Sequence, residues 1–79
     1  MKIPAIKKLV ENHSIEDLNK AEEALLEEQK PEIDIEGDDE GEQLTHIFGA
    51  RFILEKMQAG MDFKEALREF TGKVRTSIS

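Results

Sequence analysis

Residues Gln43–Ala59, QLTHIFGARFILEKMQA, form the densest apolar run in the chain. On a helical wheel at about 100° per residue, Ile47, Ala50, Ile53, Leu54 and Met57 share one arc, and Leu44, Phe48 and Phe52 share a second. Arg51 and Gln58 lie between the arcs, and Glu55 sits beside Leu44. Thr45, Gly49 and Lys56 make up a narrow polar remainder. A surface helix carries one apolar stripe, whereas a helix apolar over most of its girth is buried on several sides. In a chain of 79 residues few elements are available to cover two faces. One arrangement has the chain's own helices cover one arc while a second copy covers the other. The competing arrangement is a monomer in which the remaining helices enclose the segment. Small domains bury a smaller fraction of their surface and often need a partner, so self-association, as a dimer, is the preferred expectation. Its surface would be built from Leu44, Phe48, Arg51 and Phe52, with Ile33 and Ile35 from the preceding connection. The run is too short and too charged to span a bilayer, which needs about 20 mostly apolar residues.

Working outward toward the C-terminus, Gly60 suits a left-handed helix end. Asp62-Phe63-Lys64-Glu65 reads as a capping box, with Met61 placed to staple against Ala66. Phe63, Ala66, Leu67, Phe70 and Val74 then fall on one face, predicting a helix over 63–76. Toward the N-terminus, residues 31–43, PEIDIEGDDEGEQ, form a connection. Glu32-Ile33-Asp34-Ile35-Glu36 alternates like a short strand, but a lone strand is not stable. Extended chain anchored by two isoleucines is the preferred reading, with Gly37–Gly41 as a turn. Lys30-Pro31 should stop the helix before it, predicted over 15–29, because a residue preceding proline is pushed out of helical geometry. That helix opens at Ser14, with Asp17 in place of the usual Glu or Gln of a capping box. Ile15, Leu18, Ala21, Leu25 and Leu26 make its core stripe. A first helix over 4–12 has Pro4 at its start and Ile6, Leu9 and Val10 on one face. The whole is expected to be one all-α domain, residues 1–79. Its four short helices form two helix–turn–helix pairs joined by an acidic extended loop.

Leu, Ile, Val and Phe make up 21 of the 79 residues. That is above the level of roughly 20% below which disorder is expected. The chain has no Cys, which removes disulfides, thiol chemistry and thiolate metal sites. No apolar leader follows Lys2, so a cytoplasmic protein is expected. The net charge of −7 is uneven. Residues 1–10 carry +3, residues 11–30 carry −5, residues 31–43 carry −7 and residues 44–79 carry +2. Nucleic-acid binding wants a concentrated basic face, which this distribution lacks. It suits a basic protein partner or attraction between copies.

No motif carries chemistry. Aligned as a calcium loop from Asp34, the sixth position is Asp39 where glycine is required and the twelfth is Thr45 where glutamate is required. His13 reads as a surface turn residue and His46, at the rim of the first apolar arc, as a partly buried, hydrogen-bonded imidazole, with no ligand spacing around either. The carboxylates sit on exposed faces, and none is marked for acid–base work. The serines and threonines have no His–acid neighbour pattern. Gly37 and Gly41 are flanked by acids that would repel phosphate. No catalytic residue, metal ligand or cofactor is therefore expected. Arg51 has two readings: an ion pair to an acid of the 32–42 loop, from this or another copy, or a side chain reaching water and pairing with Glu55.

Three stretches, MKIPAIKKLVEN, EEALLEEQKPEIDIEGDDEGEQLTHI and DFKEALREFTGKVRTSIS, make the chain similar to a small bacterial family known only as a domain of unknown function. The resemblance covers nearly all the sequence. It implies a compact freestanding domain and supplies no activity or ligand. The expected function is a non-catalytic, homo-oligomeric protein-interaction module, meeting a copy of itself or another cytoplasmic protein, with no role for nucleic acid or membrane. The alternative is an acidic protein that sequesters a basic partner, or binds divalent cations weakly, through residues 32–42.

Overall fold

A computed structural model of the chain describes the backbone of residues 2–78 and the side chains of residues 2–72. Four helices follow one another: α1 (Ile3–Asn12), α2 (Ile15–Leu26), α3 (Glu40–Gln58) and α4 (Phe63–Ile78). The fold is all-α, with no strand among the described residues. The long apolar helix α3 is the shared neighbour. Helices α1, α2 and α4 each pack on it, and no other pair of helices meets among the described residues. Ile6, Leu9 and Val10 of α1, Leu18, Ala21 and Leu25 of α2, Ile47, Ala50 and Ile53 of α3, and Ala66 and Phe70 of α4 form the core. Val74, the last position of the predicted α4 stripe, lies outside the described side chains.

Local chemistry sets the helix ends. At the start of α2 the Ser14 hydroxyl accepts from the Asp17 N–H, and the Asp17 carboxylate accepts from the Ser14 N–H, both at 3.2 Å. The shorter aspartate closes the box as glutamate would. At the start of α4 the Asp62 carboxylate accepts from the Glu65 N–H at 2.8 Å.

Two boundaries differ from the sequence expectation by three residues. Helix α3 begins at Glu40 rather than 43, because Asp39 caps it, accepting from the Glu42 N–H at 2.8 Å. The Glu42 side chain in turn accepts from the Asp38 N–H at 3.0 Å. The stretch GDDEG reads as a turn by composition, yet its carboxylates satisfy the free amides of a helix start and suit its positive end.

Helix α2 ends at Leu26 rather than 29, before Pro31 can act. Gln29 donates to the Ala24 carbonyl at 2.7 Å and Glu28 to the Leu25 carbonyl at 3.1 Å, while Glu28 adopts a left-handed φ of 59°. The end of α3 uses the same bonding pattern, with Gly60 at φ 104° in the corresponding place. Glycine is the usual residue there because a Cβ costs about 1–2 kcal/mol in that conformation. Glu28→Gly should therefore stabilise the fold by about 0.5–1 kcal/mol, after allowing for glycine's greater unfolded-state freedom. A thermal melt should rise by several degrees; a fall would show that the Glu28 side chain holds the turn.

The connection between α2 and α3 is extended chain. Ile35 is buried, Ile33 packs on the core, and the Gln43 amide donates to the Ile35 carbonyl at 3.1 Å. The molecule measures 32 × 29 × 18 Å. With packed helices spaced about 8–10 Å apart, the short dimension holds two layers of helices and no third.

Candidate functional site

Three helices cannot enclose α3 within two layers, and its outward face identifies the open sector. His46, Ile47, Gly49, Ala50 and Ile53 are buried. A Cβ built on Gly49 would lie 2.8 Å from the Phe70 ring and 3.0 Å from Ile6 Cδ1. Gly49 was assigned to the polar remainder of the wheel; it is instead a buried contact point where side chains of α1 and α4 press against α3. Met57, assigned to the covered arc, is exposed. The second arc stays partly open. Phe48 is 44% exposed, and Leu44 and Phe52 are half-buried. Phe52 leans on Phe70, with ring centroids 5.9 Å apart, and the Lys56 ammonium lies 5.5 Å above its ring.

Arg51 follows neither sequence reading. Its Nη1 donates to the Asn19 side-chain oxygen at 2.9 Å and to Glu22 Oε1 at 3.0 Å, both on α2 of the same chain. Its guanidinium also lies 5.3 Å over the Phe48 ring. The planar, permanently charged head can do both at once: an in-plane ion pair and stacking on an aromatic face. Arg51 therefore fixes α2 beside α3 and supports Phe48 from one side.

That pairing also locates Leu26. Helix α2 runs antiparallel to α3, since Asn19 and Glu22 meet Arg51 while Leu25 and Glu28 line a groove with Glu40 and Gln43. Leu26 is one turn beyond Glu22, and Phe48 one turn before Arg51, which places both on the same side of the helix pair. Leu26 was assigned to the core stripe of α2, yet it is 64% exposed. Wheel position could not reveal this, because Leu25 and Leu26 are adjacent and only one of them can face α3. Of the two loop isoleucines, Ile35 has 6% of its surface exposed, so its side chain is already covered by the chain itself. Ile33 is half-buried. The apolar strip is thus Leu44, Phe48 and Phe52 of α3, extended by Leu26 of α2 and flanked by Arg51.

The remaining polar groups do not assemble a second site. His46 is hydrogen-bonded as expected but fully buried rather than partly so at a rim. Its Nε2 accepts from the Lys2 N–H at 2.9 Å, and its Nδ1–H donates to the Glu36 carbonyl at 2.6 Å. Both bonds together require the neutral tautomer protonated on Nδ1. His13 lies 3.9 Å from Asp17 at the α1–α2 turn. Among the described residues no three His, Asp or Glu side chains are placed to hold a metal ion, the acidic 32–42 stretch included. Every buried side-chain polar atom among them has a partner. Two hollows of about 450 and 490 Å³ are open grooves along α2 and the connection, with lysines and acids on their walls. No helix among the described residues is long and apolar enough to cross a membrane.

Neither a curated protein nor a solved structure matches this chain. A family model does, over residues 1–79, and the protein accordingly belongs to DUF6952, a family of unknown function.

Proposed function

We propose that this chain is a non-catalytic protein-interaction module of the cytoplasm that works by associating with another copy of itself. The observation that carries the reading is the incompletely covered strip at the middle of the organising helix, where Phe48 is 44% exposed between half-buried Leu44 and Phe52. Aromatic and arginine side chains grouped in this way are the usual anchors of protein interfaces.

Sedimentation equilibrium at micromolar concentration should give about twice the chain mass of 9.0 kDa. A single species at the chain mass would overturn the reading. The salt response separates it from the second reading, in which exposed Glu32, Asp34, Glu36, Asp38, Asp39 and Glu40 engage a basic protein. Copies carrying −7 repel one another. Raising salt should therefore strengthen self-association, whereas it should weaken capture of a basic partner.

A further inference from the structure

Resting on the self-association reading, we propose that two copies dock antiparallel across α3, with a two-fold axis passing through Phe48. Leu44, Phe48 and Phe52 form a ridge at i, i+4 and i+8 along the open face of α3. A rotation of 180° about Phe48 places Leu44 of one copy against Phe52 of the other, and the reverse, on either side of a central pair of rings. The surface is therefore complementary to itself, as a two-fold interface must be. A parallel alignment would oppose two rings at one end and two smaller leucines at the other, leaving the contact uneven.

Charge favours the same arrangement. The chain carries −7 overall, yet Arg51 on this face is neutralised within its own copy by Glu22 at 3.0 Å. Lys56, whose ammonium lies 5.5 Å over the Phe52 ring, is set by this antiparallel two-fold beside Leu44 of the other copy rather than beside its own equivalent, so the contact brings no like charges together at its centre. Ridges spaced four residues apart pack at about −50°. That crossing separates the ends of the two α3 helices, and with them the acids Asp38, Asp39, Glu40 and Glu42 of each copy. The second copy would supply the helix layer that an 18 Å body lacks, and a face of 32 × 29 Å has room for the ~600 Å² per partner of a small specific interface.

The absence of cysteine makes the test direct. Under mild oxidation Phe48→Cys should cross-link to itself, since disulfides require Cα atoms within about 7 Å. In an equimolar mixture, Leu44→Cys should cross-link to Phe52→Cys in preference to either forming a pair with itself. Phe48→Asp, with its helical circular dichroism retained, should weaken the dimer at least about a hundredfold. If Phe48→Asp does not fold, the cross-links decide alone. Predominant Leu44→Cys and Phe52→Cys self-pairs, or a dimer of unchanged affinity in folded Phe48→Asp, would overturn this geometry while leaving self-association standing. A chain that stays monomeric at every concentration would remove both.

Discussion

His46→Ala is expected to lower the unfolding free energy by about 3 kcal/mol. The imidazole has no solvent exposure, and it ties two further segments to α3. One bond fixes the N–H of Lys2 at the head of α1, and the other fixes the Glu36 carbonyl of the extended connection. Each lost bond removes about 1 kcal/mol, and the void left beside Ile47 and Ala50 adds a cavity term. For a domain of this size the melting temperature should fall by about 12–24 °C. A core this small supplies only about 3–5 kcal/mol of net stability, so the variant should sit near its unfolding midpoint. His46→Asn keeps a donor where Nδ1 stands and loses only the acceptor. It should lose about half as much, with Lys2 amide protection against hydrogen exchange lost and the connection still in place. A His46→Ala melt within two or three degrees of the parent would show that the two bonds add nothing beyond what water supplies.

The second large effect is a pair of identical substitutions with opposite signs. Gly49 and Gly72 both lie inside helices, where alanine is favoured by about 1 kcal/mol on backbone grounds alone. At Gly72 an added Cβ meets nothing within 4 Å, so Gly72→Ala should stabilise by up to about 1 kcal/mol. At Gly49 the same methyl would stand 2.8 and 2.9 Å from two atoms of the buried Phe70 ring. The ring cannot retreat without moving Phe52 or opening α4 from α3. Overpacking of this kind costs about 1–3 kcal/mol against a propensity gain of about 1 kcal/mol, so Gly49→Ala should be net destabilising by up to about 2 kcal/mol. Melts of the two variants beside the parent measure both. Stabilisation at both positions would mean that Phe70 has room to move and that the α3–α4 contact is looser than the distances indicate.

The features legible without coordinates were those settled within one or two helical turns. Ser14 with Asp17, Asp62 with Glu65, and Gly60 act on backbone groups three or four residues away, so their spacing in the chain is their geometry. The 3.6-residue period is equally local, and it marked α3 as the helix with apolar groups on more than one face. Even so, local reading misplaced the start of α3. Aspartate and glycine favour turns and helix caps alike, and which they form at Asp38–Gly41 depends on whether the following helix is packed.

The sequence by itself determined the number of helices, the extended connection pinned by Ile33 and Ile35, and the dominance of α3. Only the tertiary structure decided which sectors of α3 are covered, because a wheel orders residues around an axis and says nothing of where neighbours stand. It made Gly49 a contact point through the absence of a side chain, and a missing group leaves no polarity or periodicity to read. It gave Arg51 partners 29 and 32 residues away on α2 and turned Leu26 rather than Leu25 to the outside. The physical reason is common to all of these: helix propensity and capping act along the chain, whereas coverage depends on how many bodies about 10 Å wide fit around one axis.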